Sequence, residues 1–355
     1  MRCTRAILQL VIVIGLTVCA FGGAEDSLSS QHVADLRRRG PEGLEQLLNE
    51  HLVDVARGPR KDDANWQRLS DAIDAIAMQK DAWASRLYWY TDLNRAKAVA
   101  AKEDKPILSL RLLGKLDEEL SCANSRFFRT TLYPDPRVGE LLREKFILHW
   151  ISERPVPVVT VDYGDGRKMT RTVTGNSVHY ILDSDGRPID ALPGLYSASA
   201  FVRGLEAALA LAAEKPTDDR LRAWHGDAAD RAAKAQAEVQ PEPFAPEVER
   251  VIRVKAAPPA REAGRLAISK RFVEDPLVVL IAGLQQSVAQ DTRQNEFVLH
   301  RQIHQWFAAG AVRDFNAFNQ RVYAELFLTP GSDPWLGLAP ADAFTALQDG
   351  GLAQK

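Results

Sequence analysis

Three side chains in the C-terminal part of the sequence have a spacing that suits a metal ion. Glu296, His300 and His304 recur every four residues within segment 295–309, whose apolar residues repeat with helical spacing. On a helix they lie on one face and offer one carboxylate and two imidazoles to a metal. The pattern lacks the central glutamate of an H-E-x-x-H motif, so a further ligand must come from another element. The alternative interpretation is a pair of packed, hydrogen-bonded histidines.

Cys122 is the second residue whose type and position suggest chemistry. The chain has three cysteines, and Cys3 and Cys19 both lie in the apolar N-terminal segment. A helix is predicted to begin beside Cys122, where free backbone N–H groups and the helix dipole stabilise a thiolate. Arg126 and Arg129 act in the same direction, whereas acidic residues just upstream oppose them. With one thiol beyond the N-terminal segment, dithiol exchange within a mature chain is excluded.

The elements that position these residues follow from the spacing of apolar side chains. Segment 25–90 repeats at three and four residues, which predicts helices, with one helix expected from about residue 66 to residue 90. Segment 91–213 alternates between helical and strand patterns, which is typical of an α/β unit. Its predicted helices cover 93–103, 121–144 with a break at 133–136, and 198–213, and its predicted strands cover 106–113, 146–151, 158–163, 169–173 and 178–182.

The C-terminal third changes in composition. Segment 214–264 is rich in Ala, Pro, Lys, Glu and Asp, which predicts a charged helix followed by a linker. Segment 265–355 again shows apolar residues at helical spacing. The sequence therefore predicts an all-α N-terminal segment, a central α/β domain, a linker, and an α-helical C-terminal domain.

The central segment resembles the exported thioredoxin-like family. The resemblance lies in Lys-Pro-Ile-Leu-Ser-Leu at 105–110, Ser-Cys-Ala-Asn-Ser at 121–125, and Phe-Ile-Leu-His-Trp at 146–150. In that family a strand delivers a Cys-x-x-Cys motif to the first turn of a helix. Here Cys122 takes the first position, Ser125 replaces the second cysteine, and Ser121 replaces the usual tryptophan. Ser177 stands where the family has a cis-proline, before a strand and an Asp-x-x-Gly turn.

The resemblance implies a thioredoxin-like fold for residues 91–213 and leaves two functions open. Our main hypothesis is a module without dithiol redox chemistry that binds a protein or peptide in the groove beside Cys122, where Asn176 and Ser177 are expected. The alternative is an enzyme similar to monothiol glutaredoxins. In that case Cys122 is the nucleophile, Ser125 hydrogen-bonds the thiolate, and an external thiol resolves the adduct. A minor alternative is a metal-binding protein that uses His300 and His304.

The first 24 residues have the three-part pattern of a secretory signal peptide. A basic start is followed by about 13 apolar residues, which is short of the roughly 20 that span a bilayer. Cleavage is expected after Ala20 or Ala24. In a second interpretation Cys19 is lipidated, although Val18 is atypical before a lipidated cysteine. We therefore expect an exported protein, periplasmic or secreted, without a transmembrane anchor in its mature form.

The charge balance narrows the class of partner. The 45 Lys and Arg residues are offset by 47 Asp and Glu residues, for a formal net charge of -2. A chain with no basic surplus is a poor match for a phosphate backbone, so we expect no nucleic-acid partner. Apart from a divalent metal at the histidines, the sequence indicates no cofactor.

Overall fold

A computed structural model shows how these segments are arranged. It describes residues 28–60, 62–235, 239–255, 276–310, 312, 314–333 and 346–351. The expected signal peptide, with Cys19 and both cleavage positions, lies outside the described residues, as does 256–275. No helix in the described ranges combines the length and apolar character needed to cross a membrane.

The N-terminal part of the described chain is helical. Side chains cap two of its helices, because the Ser29 hydroxyl accepts a hydrogen bond from the His32 N–H and the Asp63 carboxylate accepts from Asn65 and Trp66. The helices are α1 (Ser30–Arg39), α2 (Pro41–Glu50), α3 (Leu52–Arg57), α4 (Ala64–Ala77) and α5 (Ala82–Ser85).

The prediction of one helix over 66–90 is wrong, because the helix found there, α4, covers only Ala64–Ala77. Helix α4 ends at Ala77 because Met78 adopts a left-handed conformation with φ 54°, and Asp81 does the same with φ 61°. Helices commonly end at a glycine in this conformation. Neither residue is glycine, so the sequence did not indicate the end of the helix. Residues 86–89 have no regular secondary structure, and Tyr90 forms a parallel bridge to His149 beside the sheet.

A four-stranded mixed sheet forms the centre of the molecule, with the strand order β2-β1-β5-β6. Strand β1 pairs in parallel with β2 and antiparallel with β5, and β5 pairs antiparallel with β6. The strands are β1 (Ile107–Leu113), β2 (Ile147–Arg154), β5 (Ser177–Leu182) and β6 (Pro188–Pro193). All residues of β1, β5 and β6 are buried, as expected for a sheet covered on both faces.

Helices precede, connect and follow the strands of this sheet. Helix α6 (Leu93–Glu103) precedes β1, and α9 (Ala198–Ala213) follows β6. Between β1 and β2 lie α7 (Ala123–Phe127), a π-helical turn over Phe128–Leu132, and α8 (Pro136–Lys145). The expected break falls where Asp135 caps α8 and Pro136 occupies its first turn.

The strands β3 (Val158–Asp162) and β4 (Lys168–Thr172) form a separate two-stranded hairpin between β2 and β5. Every residue of β3 is exposed, so this hairpin projects from the sheet rather than contributing to its core.

The C-terminal helices pack on the same core as the rest of the chain. One cluster of buried apolar residues extends from Leu36 in α1 through Leu110 in β1 to Tyr323 near the C-terminal end. The helices are α10 (Asp218–Lys234), α11 (Pro246–Lys255), α12 (Pro276–Gln294), α13 (His300–Ala308) and α14 (Phe315–Arg321). Short π-helical turns at Asn295–Leu299 and Val322–Leu326 adjoin α13 and α14, and a 3-10 turn covers Gln348–Gly351.

Candidate functional site

Cys122 caps the first turn of α7, downstream of β1. Its backbone is extended, with φ -62° and ψ 163°, and its Sγ accepts a hydrogen bond from the Ser125 N–H at 3.4 Å. The residue therefore lies at the helix N-terminus, as the sequence suggested. Its side chain is completely buried, at 0% exposure, so solvent does not reach the sulfur in this conformation.

Burial decides the protonation state of this thiol. Removal from water raises the pKa of Cys122, whereas the N–H groups of Ser125 and Asn124 and the charge of Arg126 lower it to a smaller extent. The net pKa lies above that of an ordinary thiol. At neutral pH the folded protein therefore holds the protonated, weakly nucleophilic form.

The two arginines near Cys122 are engaged elsewhere. The Arg129 guanidinium is buried and pairs with Asp81 at 2.5 Å and with Glu119 at 3.3 Å. Arg126 donates to the Ser121 carbonyl at 2.6 Å and to the Thr172 hydroxyl. The charge of Arg129 is thus offset by two carboxylates, whereas Arg126 bonds neutral oxygens and still lowers the pKa of Cys122, by less than burial raises it.

Asn176 and Ser177, which were predicted near Cys122, form hydrogen bonds within the chain, whereas the Ser125 hydroxyl does not. The Asn124 amide donates to the Ser177 hydroxyl at 2.8 Å, which ties the start of α7 to the start of β5. The Ser125 hydroxyl is buried and has no hydrogen-bond partner among the described residues, so it is the Ser125 backbone that contacts Cys122. The Asn176 amide donates to the Thr329 hydroxyl at 3.0 Å.

A C-terminal segment, residues 323–333, covers the strand ends beside Asn176. The Tyr323 hydroxyl donates to the Asn176 carbonyl at 3.4 Å. Arg154, the last residue of β2, donates to the carbonyls of Thr329 at 3.0 Å, Pro330 at 3.3 Å and Asp333 at 2.9 Å. The region in which a partner groove was expected thus contacts the chain's own C-terminal segment.

A second cluster of titratable side chains lies at the other edge of the sheet. It combines Asp190 of β6 with His225 of α10 and with His300 and His304 of α13, and all four are buried. The His300 Nε2 lies 2.9 Å from the Asp190 Oδ1, and the His304 Nδ1 lies 3.9 Å from the same oxygen. One donor atom each from Asp190, His300 and His304 can be chosen so that all three lie within 4.8 Å of one another.

Hydrogen bonds fix the tautomer of His225. Its Nε2 lies 2.9 Å from the Ile189 carbonyl, which can only accept, so this nitrogen carries a proton. In neutral His225 the Nδ1 is then an acceptor, and it accepts a hydrogen bond from the His304 Nδ1–H, 2.8 Å away. Neutral His304 consequently keeps the lone pair of its Nε2 for another partner.

The electrostatics of the cluster favour an ionised Asp190 carboxylate and neutral imidazoles at His225 and His304. Burial alone would raise the pKa of Asp190, but His300, His304 and His225 lower it well below its ordinary value. Burial lowers the pKa of His225 and His304, and the nearby His300 lowers them further. At neutral pH the cluster therefore offers the negative charge of Asp190 and a lone pair of neutral His304.

Glu296 is not part of this close group. Its carboxylate lies 3.4 Å from Arg203 and is 25% exposed. The structure therefore brings His300 and His304 together with Asp190, at the place where the sequence suggested Glu296. Asp190 was missed because β6 was not predicted. The turn at 183–186 followed by a short apolar segment was the available signal for a hairpin and hence for this strand.

A cavity of about 270 Å³ borders the cluster. Asp190, His300 and His304 line it, together with Trp224, Arg203 and Arg231. Among the described residues, Asp190, His300 and His304 form the group that could hold a metal ion.

Comparison with known proteins adds no family assignment. Neither a protein-family model nor a curated protein matches this sequence.

Proposed function

We propose that this chain is a thioredoxin-like protein that binds a protein or peptide partner and performs no thiol–disulfide exchange. The complete burial of Cys122 carries the proposal. Exchange requires a thiolate that reaches a disulfide sulfur in line, and here burial both blocks the approach and disfavours the thiolate. The monothiol enzyme remains the alternative, and the N–H groups of Ser125 and Asn124 near the Cys122 sulfur favour it less strongly than burial opposes it.

The sheet supports the thioredoxin-like part of the proposal. A parallel pair with helices between its strands, β1 and β2, is followed by an antiparallel pair and a helix, β5, β6 and α9. This order is similar to the core arrangement of thioredoxin-like domains. In this proposal Cys122, at the start of the helix after β1, and Ser177, at the start of β5, correspond to the first cysteine and the cis-proline of that family.

The β3–β4 hairpin offers the surface best suited to a partner. Val159, Val161 and Tyr163 lie on one face and are 44%, 39% and 53% exposed. Met169 stands opposite Val161 on that face. Water-exposed apolar residues in a row are unfavourable in an isolated protein and are typical of interaction sites.

The backbone of the hairpin indicates the form of that partner. Within the described residues β3 pairs only with β4, so each strand has one outer edge with free N–H and C=O groups. Two-stranded hairpins are marginally stable alone and gain from a third strand. We therefore infer that the partner contributes an extended segment with alternating apolar side chains, which pairs with a hairpin edge and covers the apolar face.

The experiment is a selection of random displayed peptides on the full chain, with Val161→Lys and Thr160→Lys as a matched pair of variants. Both variants add one positive charge to β3, but on opposite faces. We expect enriched peptides with alternating apolar residues that bind wild type and Thr160→Lys alike. Val161→Lys should bind them at least about tenfold more weakly.

The binding proposal fails if no peptide is enriched, or if both variants bind the enriched peptides equally well. Analytical sedimentation of the chain without peptide tests whether a second copy of the chain binds to this surface instead. A dimer that Val161→Lys dissociates and Thr160→Lys leaves intact would replace the peptide partner by a second copy of the chain.

The cellular location in this proposal rests on the sequence of residues 1–24. A cleaved signal peptide would release the mature chain into the periplasm or medium, and lipidation of Cys19 would anchor it instead.

A further inference from the structure

We propose that Asp190, His300 and His304 form a binding site for one divalent transition-metal ion of the zinc type. Two imidazoles and one carboxylate are donors that this class of ion prefers. The site is independent of Cys122 and of the β3–β4 hairpin, and its test does not depend on the function proposed above.

The geometry needs little adjustment to accept an ion. Donor atoms around zinc lie about 2.0–2.2 Å from the metal, so two ligands of one tetrahedral ion are about 3.3–3.6 Å apart. The three donors lie within 4.8 Å of one another, and the Asp190 Oδ1 and the His300 Nε2 are 2.9 Å apart. Side-chain movements of about 1 Å bring donors at these distances to the tetrahedral spacing.

Two elements hold the donors in place. His300 and His304 are four residues apart in α13, so both project from one face of the helix, with ring centroids 4.0 Å apart. Asp190 lies in the interior of β6, where its Oδ1 also accepts a hydrogen bond from the Ala191 N–H at 2.8 Å. A helix face against a sheet strand gives a more rigid donor set than a loop would.

His225 supplies the kind of outer contact that metal-binding histidines use. Imidazole ligands usually donate their second N–H to a nearby acceptor, which fixes the ring and the tautomer. The His225 Nδ1 stands 2.8 Å from the His304 Nδ1, and the Ile189 carbonyl fixes His225 in turn at 2.9 Å. This chain of contacts orients His304 and leaves its Nε2 lone pair available.

The charge of the site also favours a cation. Asp190 is 1% exposed, and within the described residues its only ion-pair partners are His300 and His304. A buried carboxylate is stabilised by a positive charge in direct contact with it. A divalent ion supplies that charge directly.

The cavity beside the cluster gives an ion a route and leaves room for further ligands. Its volume of about 270 Å³ exceeds what one ion and a few waters occupy. Three protein ligands leave at least one coordination position open towards this space.

The test uses the chain purified without a histidine tag and stripped with a chelator. Calorimetric titration with zinc chloride should show about one ion per chain. Cobalt(II) should give visible d–d bands of an N/O site without thiolate charge transfer. The variants Asp190→Asn and His300→Gln should each weaken zinc binding at least tenfold, while Glu296→Gln should stay within threefold of wild type.

Circular dichroism of each variant separates loss of a ligand from loss of folding, and His304→Gln replaces any variant that does not fold. The proposal is overturned if the stripped wild type binds no zinc, or if folded ligand variants bind as tightly as wild type. A loss in Glu296→Gln equal to that in Asp190→Asn would also overturn the assigned ligand set.

Discussion

At the residue scale, Cys122 combines a position that activates thiols with surroundings that suppress the thiolate. The helix start supplies N–H groups to the sulfur, as the 3.4 Å contact with Ser125 shows. Complete burial acts in the opposite direction and is the larger effect on the pKa of Cys122. Position along the chain therefore does not predict the reactivity of this residue.

We expect iodoacetamide to alkylate Cys122 at least about 100-fold more slowly in the folded chain than in urea at every pH, because reaction requires local opening. The measurement is the rate against pH, with the unfolded sample as reference. A fast folded-state reaction with a midpoint below that of a free thiol would contradict the proposal and favour the monothiol enzyme.

The partner of the Asp190 carboxylate is distant in sequence. Its neighbours in sequence are apolar and give no hint of a ligand, yet it lies 2.9 Å from His300, which is 110 residues away. The partners of a buried carboxylate are set by strand pairing and helix packing rather than by nearby residues.

At the scale of elements, residues 323–333 cover the strand ends and receive most of their side-chain hydrogen bonds there from Arg154 of β2. Arg154 donates to three carbonyls of this segment, and Asn176 bonds to Thr329 from the β5 side. Backbone carbonyls outside regular structure need such donors when they are partly buried. The cover thus depends on Arg154.

We expect Arg154→Met to lower the free energy of unfolding by about 1–3 kcal/mol, because three carbonyls lose a charged donor. The same variant should increase protease cleavage near residue 330. Urea unfolding and limited proteolysis measure the two effects.

Arg171→Met is the matched control, because Arg171 lies on the exposed face of the hairpin. Its free energy of unfolding should stay within about 0.5 kcal/mol of wild type. Equal effects of the two variants would show that Arg154 does not hold the segment.

At the scale of the whole molecule, buried neutral histidines link stability to pH. Burial lowers the pKa of His179 to about 3. Burial and, to a smaller extent, Arg111 lower the pKa of His149 to about 4. Both residues lie in the central sheet, so protonation of either must disturb the core that the N-terminal and C-terminal helices share.

The direction of the pH effect follows from proton binding. Unfolded histidine has a pKa of about 6.5, so below that pH the unfolded chain binds more protons than the folded chain. The contribution of both residues to stability is therefore fully present above about pH 6.5 and is lost as the pH falls towards 4. Asp74 acts oppositely, because burial raises its pKa to about 6, so its contribution to stability falls as the pH rises from about 4 to about 6.

We expect the stability difference between pH 7 and pH 4.5 to shrink by about 2 kcal/mol in His179→Gln, which cannot be protonated. Urea unfolding of wild type and variant at both pH values gives this difference whatever the variant costs at neutral pH. An unchanged difference would show that His179 is not neutral and buried in the folded chain.

The sequence by itself determined the local elements well. Helices α6 and α9 begin and end at the expected residues, and the predicted break before α8 coincides with Asp135 and Pro136. These features depend on apolar periodicity, capping side chains and proline, which act within a few residues. The thioredoxin-like family, the export and the partner stay predictions.

Tertiary structure decided which of the candidate residues meet. It buried Cys122 at its helix start, placed residues 323–333 against Asn176, and brought Asp190 rather than Glu296 to His300 and His304. Each contact joins elements far apart in sequence, through strand pairing and helix packing that apolar burial drives over the whole core. Local patterns fix where a helix begins, whereas the surroundings of a side chain depend on which distant surfaces cover it.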